Sequence, residues 1–253
     1  MRKAVASAFS PTDIAGLQLW LDATTGLFDA TSGGNAVTTD GSAVARWEDQ
    51  SGKAYHFQQS TSNDRPILKT SVQNGKNVIR FDGSNDFMQG SNSLKFKPPV
   101  SMFCVVSKRG GSNYQGIYTL GVLAPTNGYG IWISNTGDNS GAFSSQYRQG
   151  STNVSTNYYT ALLPVTNTFF IGAGVVDSST NNVYFNDGAE DSLAHTVDIA
   201  PDQNVYIGAR DQNGATSLYF NGDIAEIIVY NSALSSSSRN SVRDYLDTKW
   251  NIY

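Results

Sequence analysis

Residues 78–87 read Val78-Ile79-Arg80-Phe81-Asp82-Gly83-Ser84-Asn85-Asp86-Phe87, a short apolar run that leads into a turn. The dipeptide Asp82-Gly83 suits a tight turn because glycine adopts a positive φ without steric cost. Phe81 and Phe87 are therefore expected to return into a core on either side of this turn. A short strand that ends in such a turn is typical of an all-β protein.

Short apolar or alternating runs of the same kind recur along the chain, separated by Gly, Asn, Asp and Ser clusters. Each run is expected to form a β-strand, and no linker or repeat divides the chain. The sequence therefore predicts one domain, residues 13–253, that follows an N-terminal tail, residues 1–12. The expected strands are residues 17–21, 77–81, 101–106, 116–123, 130–133, 169–176, 182–185, 205–207 and 224–230.

The C-terminus has a different pattern. Four serines at 235–238 offer N-cap hydroxyls, and apolar side chains then recur at helical spacing at Val242, Tyr245, Leu246 and Trp250. This predicts an α-helix over about 235–249, with its apolar stripe on the outside of one sheet or across an open end. The predicted fold is a two-sheet antiparallel jelly-roll sandwich with a short C-terminal α-helix.

Composition excludes several classes of function. The net charge is −4 and the 17 Lys and Arg residues are scattered, so nucleic-acid binding is not expected. No apolar run reaches the roughly 18 residues of a membrane span, and the N-terminus lacks the apolar segment of a signal peptide. We therefore expect a soluble chain that is not exported by the usual route. The single cysteine, Cys104, lies in an apolar run and is expected to be buried.

The chain resembles the concanavalin A-like lectin/glucanase superfamily, specifically the laminin G-like jelly rolls of bacteria and phages. The resemblance implies a concanavalin A-like sandwich and is carried by four segments in family order. These are Leu17-Gln18-Leu19-Trp20-Leu21-Asp22-Ala23, Val44-Ala45-Arg46-Trp47-Glu48-Asp49-Gln50-Ser51-Gly52, residues 78–87 quoted above, and Phe220-Asn221-Gly222-Asp223-Ile224-Ala225-Glu226-Ile227-Ile228-Val229-Tyr230.

Catalytic residues of the superfamily's hydrolases are missing. Those enzymes carry two or three alternating carboxylates on one strand, whereas the three glutamates here, Glu48, Glu190 and Glu226, are far apart in sequence. Asp223 and Glu226 are expected on opposite faces of a strand because they are three residues apart. His56 and His195 are isolated. The sequence therefore predicts a protein that is not an enzyme and requires no cofactor.

Calcium is a candidate ligand, because many laminin G-like jelly rolls hold this ion through aspartates and loop carbonyls. Asp138, in the Gly- and Asn-rich loop 135–141, is the candidate residue. Aspartates in turns also bond their own backbone, which is the alternative explanation.

Aromatic side chains set among Gly, Asn, Ser and Gln suggest a binding surface in the middle of the chain. Such side chains can stack on sugar rings or contact a protein partner. We expect the glycan or partner site between residues 110 and 159, with candidates Tyr114, Tyr129, Trp132, Tyr147, Arg148, Tyr158 and Tyr159.

Three functions stay open at this point. The favoured one is a binding module displayed on a phage or viral particle, as a decoration or tail protein that contacts capsid or tail proteins and a cell-surface glycan. The alternative is a stand-alone bacterial carbohydrate-binding lectin-like module, located outside the cell. A glycoside hydrolase is least favoured. Either binding module could form a homo-oligomer.

Overall fold

The computed structural model describes the chain in ten parts. They are residues 9–110, 114–120, 127–134, 142–149, 152–158, 167–186, 189–196, 201, 204–212 and 215–253. In chain order the elements are β1 (Leu17–Asp22), β2 (Leu27–Phe28), β3 (Arg46–Trp47), β4 (Phe57–Gln58), β5 (Ile67–Gln73), β6 (Lys76–Asp82), β7 (Met88–Gln89), β8 (Val100–Lys108), β9 (Gln115–Leu120), β10 (Gly128–Ser134), β11 (Ala142–Gln149), β12 (Thr152–Tyr158), β13 (Phe170–Val176), β14 (Thr180–Phe185), β15 (Ala189–Ala194), β16 (Val205–Ile207), β17 (Arg210–Gln212), β18 (Ala215–Ser217), β19 (Asn221–Tyr230) and α1 (Ser236–Trp250).

Two antiparallel sheets form the sandwich, as predicted. The eight-stranded sheet, here the back sheet, has the order β15-β14-β13-β8-β19-β6-β5, with β1 paired to β19. The nine-stranded sheet, here the front sheet, has the order β12-β11-β10-β9-β16-β7-β4-β3-β2. A small hairpin, β17–β18, is not hydrogen-bonded into either sheet as a strand. Each predicted strand corresponds to a strand of the structure.

The main core lies between the sheets, because alternate side chains of each strand point inward. Leu19, Ile79 and Ile227 of the back sheet pack there with Trp47 and Tyr118 of the front sheet. Cys104 is buried in this core, as predicted, and burial raises the pKa of its thiol.

Helix α1 lies on the outer face of the back sheet. Its buried side chains, Val242, Leu246 and Trp250, form a second apolar cluster with the outward-facing residues of that sheet. The Ser235 hydroxyl caps the helix by accepting a hydrogen bond from the Ser238 amide at 3.2 Å. The predicted helix is confirmed at both ends to within one residue. No helix in the described parts of the chain is long and apolar enough to cross a membrane.

Residues 9–12, the end of the predicted tail, contact the domain. The Tyr230 hydroxyl donates a hydrogen bond to the Pro11 carbonyl at 2.9 Å. The ring of Phe9 lies 6.0 Å from that of Tyr245 on α1. This part of the chain therefore packs against the back sheet and its helix.

One expected core residue lies elsewhere. Gly83 has the predicted positive φ, 77°, and Phe81 is in the core. Phe87, however, is only half-buried and packs on the outer side of the front sheet against Tyr206. The reason is alternation: Met88 enters the core, so Phe87 and Gln89 on either side of it point outward.

A β-bulge corrects the expected positions of Asp223 and Glu226. The pairing of β19 with β8 shifts between Ile224 and Glu226, which inserts one extra residue. Ile224 and Ile227 both face the core as a result, and both carboxylates lie on the outer face. Asp223 pairs there with Arg80 at 2.7 Å, while Glu226 contacts α1.

Candidate functional site

A continuous row of outward-facing positions crosses the front sheet from β2 to β11, because the register places one residue of each of these strands beside the next. We call these residues the transverse row. From β2 to β11 they are Phe28, Arg46, Gln58, Gln89, Tyr206, Thr119, Gly130 and Gln146. The row brings together residues from both halves of the chain.

An open cleft of about 590 Å³ lies over the part of this row formed by β4 and β7. Gln58 and Gln89, directly paired across β4 and β7, form part of its lining and are both exposed. Hydroxyl, amide and imidazole groups and one aromatic ring surround them. The described lining residues are Thr31, Ala54, His56, Gln58, Gln59, Ser60, Thr61, Phe87, Gln89, Gly90 and Ser91.

The loop on one side of the cleft is held by Gln59 and Arg65. The Gln59 side-chain amide donates to the Phe87 carbonyl at 3.1 Å and accepts from the Thr61 amide at 2.9 Å. Arg65 donates to the carbonyls of Gln59 and Ser60 at 3.0 and 3.2 Å. These bonds fix the backbone that presents Ser60 and Thr61 to the cleft.

Asp49 positions His56 on another side. Its carboxylate accepts hydrogen bonds from the amides of Ser51 and Tyr55 at 2.8 and 3.1 Å, which holds the intervening loop closed. The Asp49 amide donates to Nδ1 of His56 at 3.1 Å. Because Nδ1 accepts a hydrogen bond, the ring proton is on Nε2, which makes that nitrogen a donor.

Phe87 forms the third side and packs against two other aromatic rings. The ring of Phe87 meets that of Tyr206 edge-on, with centroids 5.4 Å apart, and lies 6.5 Å from that of Tyr219. Tyr219 belongs to residues 208–212 and 215–220, which we call the strap. The strap contains the β17–β18 hairpin and closes on itself, because the Phe220 amide donates to the Gly208 carbonyl at 2.8 Å.

The strap lies against β9. The Thr119 hydroxyl donates to the Ala209 carbonyl at 2.8 Å, and the Gly116 amide donates to the Leu218 carbonyl at 2.9 Å. Gly116 has no side chain where the strap approaches: a Cβ there would lie 2.5 Å from the Ala209 carbonyl oxygen. The glycine therefore permits the contact between strap and sheet.

The structure separates the site residues predicted from sequence. Tyr129 and Tyr147 are fully buried in the core, because their positions on β10 and β11 face inward, so their rings are not open to a ligand here. Trp132 faces outward but is covered, with the Arg210 guanidinium 5.4 Å from its ring. Tyr114 is exposed.

The other predicted site residues lie partly or wholly outside the described structure. Arg148 and Tyr158 occupy β11 and β12, but only their backbone is described. Tyr159 and the calcium candidate Asp138 lie outside the described residues, so a site at either stays a prediction. Within the described ranges, no three His, Cys, Asp or Glu side chains are grouped as a metal site.

The sequence did not single out the cleft, since its residues come from two-residue strands and from the loops beside them. The detectable signal is the pairing of one apolar with one polar residue in Arg46-Trp47, Phe57-Gln58 and Met88-Gln89. In each pair the apolar member enters the core and the polar member joins the transverse row. Two residues are too few to show a period, so the signal is visible only once the strands are paired.

Comparison with known proteins places the fold. The family model described as the concanavalin A-like lectin/glucanases superfamily matches residues 100–238, more than half of the chain. No curated protein sequence matches the chain significantly.

Solved structures share the fold at low identity. Domain 4 of AbnA, a GH43 extracellular arabinanase from Geobacillus stearothermophilus, was solved with arabinotriose; it is 15% identical, with a TM-score of 0.59 over 79% of this chain and 97% of that one. The binding domain of Paraclostridial Mosquitocidal Protein 1 is 11% identical, with a TM-score of 0.63 over 94% and 54%. The botulinum neurotoxin serotype D binding domain is 14% identical, with a TM-score of 0.59 over 91% and 51%. The chain thus spans about half of each toxin binding domain.

Proposed function

Because the chain belongs to the concanavalin A-like lectin/glucanases superfamily, we propose that it is a non-catalytic carbohydrate-binding domain whose saccharide lies in the cleft of the front sheet. The observation that carries this proposal is the exposed pair Gln58 and Gln89 beside the half-buried ring of Phe87. Amides both donate and accept, as sugar hydroxyls do, and an aromatic ring offers an apolar surface to the C–H groups of a sugar. The arabinotriose bound to a structural neighbour supports the same ligand class.

The carboxylates support a binding role rather than hydrolysis. Glu226 is fully buried beneath α1, and Glu48 is paired with Arg46 at 3.0 Å. Glycoside hydrolysis requires two carboxyl groups that face one bound sugar. No aspartate or glutamate is among the described residues that line the cleft.

Substitution of the glutamine pair tests the proposal. Gln58→Ala and Gln89→Ala should each weaken binding of a glycan identified on an array about tenfold, since each removes hydrogen bonds to the sugar. Gln18→Ala is the matched control: Gln18 lies on β1 of the back sheet, and its side-chain amide donates to the nearby carbonyls of Gly16 and Leu17. Calorimetric titration would measure all three variants. Absence of glycan binding, or equal loss in the control, would contradict the proposal.

Display on a phage or viral particle is a second, separate proposal, which rests on the sequence. A decoration or tail protein would bury more than roughly 1,000 Å² against a capsid or tail protein. Chemical crosslinking of purified particles, followed by mass spectrometry, would identify that contact. A chain recovered only as free protein from its native source would contradict this proposal.

A further inference from the structure

We infer that the saccharide recognised by the cleft is uncharged, and that acidic sugars are excluded by the electrostatics of the lining. This inference rests on the proposed function and specifies its ligand class. It follows from which groups reach the cleft and from how the neighbouring charges are used.

The described lining carries polar groups but no formal charge. Amides are contributed by Gln58, Gln59 and Gln89, and hydroxyls by the serines and threonines. None of the described lining residues has a carboxylate, an ammonium or a guanidinium group. The remaining titratable side chain is that of His56, whose Nδ1 accepts the Asp49 amide hydrogen and therefore carries no proton.

The guanidinium groups closest in sequence to the lining residues are bonded elsewhere. The Arg65 guanidinium donates to the carbonyls of Gln59, Ser60 and Asp29, the last at 3.3 Å. These hydrogen bonds hold the loop that carries Ser60 and Thr61.

Arg46, the next residue along the transverse row, is paired with Glu48 at 3.0 Å. It also donates to the Ala30 carbonyl at 3.2 Å and lies over the ring of Phe28 at 4.2 Å. It is buried, with 7% of its surface exposed. Its charge is therefore balanced before any ligand arrives.

An anionic sugar would lose hydration in this cleft without gaining a countercharge from any of the described lining residues. Sites that select carboxylate or sulfate groups supply arginine or lysine, because charge-assisted hydrogen bonds are the strong ones. Neutral hydroxyls, by contrast, match the amide and hydroxyl lining donor for acceptor. We expect a neutral saccharide to bind at least tenfold more tightly than its acidic counterpart.

Matched pairs of oligosaccharides test the inference on the full chain. The first pair is hexagalacturonate with its carboxyl groups methyl-esterified, which is neutral, and the free acid. The second pair is neutral lactose and acidic 3′-sialyllactose. The third pair is a neutral and an acidic arabino-oligosaccharide. In each pair that binds, the neutral oligosaccharide should bind at least tenfold more tightly than the acidic one. The affinity for the neutral oligosaccharide should not change between 50 and 500 mM salt. An acidic member that binds as tightly as the neutral one, or binding that salt abolishes, would overturn the inference.

The two proposals fail in different ways. If an acidic glycan binds and Gln58→Ala abolishes the binding, the cleft is a saccharide site and only the neutral-ligand inference is wrong. If no glycan of the pairs or of a broad array binds, both are wrong.

A charge placed in the lining provides an independent check. Gln89→Lys should increase affinity for the free hexagalacturonate at least tenfold and make it salt-dependent, because it supplies the missing countercharge. Gln18→Lys on the back sheet is the matched control and should have no effect. A folded Gln89→Lys variant with unchanged affinity for the acidic probe would contradict the electrostatic explanation.

Discussion

The carboxylate of Glu226 joins the back sheet to its helix. It accepts hydrogen bonds from the indole nitrogens of Trp20 at 2.7 Å and Trp250 at 2.6 Å, and from the Tyr245 hydroxyl at 2.9 Å. The Lys249 ammonium lies 2.7 Å away and also contacts Asp22 at 2.6 Å. Burial raises the pKa of Glu226, while Lys249 opposes that shift. Full pairing of this kind is what makes a buried charge tolerable.

Removal of this carboxylate should destabilise the domain. Glu226→Ala leaves two indole N–H groups and an ammonium group with fewer partners, so we expect a loss of about 3–5 kcal/mol in the free energy of unfolding. Urea denaturation followed by tryptophan fluorescence measures it. Asp244→Ala, at an exposed position on α1, is the control and should cost less than about 0.5 kcal/mol. A loss below about 1 kcal/mol for Glu226→Ala would contradict the role assigned to it.

Asp86 makes stability depend on pH. Burial, together with the negative charge of Asp82, raises the pKa of Asp86 to about 7. The folded protein therefore binds this proton more tightly than the unfolded chain, whose aspartates titrate near pH 4. By linkage, the contribution of Asp86 to stability is fully present below about pH 4 and is lost as the pH rises towards 7.

The variant Asp86→Asn should remove this part of the pH dependence. Asparagine keeps an oxygen for the Asp82 amide, which bonds Asp86 at 3.0 Å, but it does not titrate. Between pH 4 and 7 the stability of the native protein should fall relative to that of the variant by on the order of 1–3 kcal/mol. Melting temperatures measured across this range test it, with Asp244→Asn as an exposed control. Parallel curves for native protein and variant would refute the effect.

The strap supports the aromatic side of the cleft, because Tyr219 of the strap packs against the ring of Phe87. Substitution of Gly116 by alanine should push the strap outward, because the new Cβ would lie 2.5 Å from the Ala209 carbonyl oxygen. We expect a loss of about 2 kcal/mol in stability and weaker saccharide binding as Tyr219 moves. Gly110→Ala is the control, since its Cβ would find the nearest neighbouring atom, Nδ2 of Asn221, at 3.5 Å. Unchanged stability and binding in Gly116→Ala would show that the strap adapts freely.

The predictability of each element from sequence follows its apolar pattern and not its length alone. The strands β6, β8 and β19 show an apolar run or alternation directly, and α1 shows its helical spacing. The strands β5, β11, β12 and β15 have six to eight residues each, but they are rich in polar residues and are not expected from the sequence. The strands β2, β3, β4 and β7 have two residues each and show no period of their own. They are held by pairing with distant strands, and the cleft is built on them. The bulge between Ile224 and Glu226 could not be predicted from the sequence either, because an extra residue in a strand has no recognisable apolar pattern.

At the scale of the whole molecule, the two ends of the chain are joined. The first strand, β1, pairs with the last, β19, and Gln73 of β5 donates to the carbonyl of Trp250 at 2.8 Å. Asp22 of β1 also holds Lys249 of the helix. Neither the sheet nor the helix can lose its partner without exposing apolar surface of the other.

Hydrogen exchange should therefore report one cooperative unit. Amides of β1, β19 and α1 should exchange with the same free energy, close to that of global unfolding, while amides of the strap exchange with a lower one. Mass spectrometry of exchanged peptides measures both. In Glu226→Ala the helix should exchange ahead of the sheet. A helix that already exchanges first in the native protein would mean that the unit is not cooperative.

The regular spacing of the transverse row also gives a way to measure how far a bound ligand extends across the sheet. Neighbouring strands of a sheet lie about 4.8 Å apart, so Phe28, Arg46, Gln58, Gln89 and Tyr206 mark successive steps of that size across five strands. Arg46 and Tyr206 are buried, so a ligand in the cleft reaches the row at Gln58 and Gln89, which lie on two neighbouring strands. Loss of affinity after substitution of either residue would therefore show that the bound chain crosses both strands, without any structure of the complex.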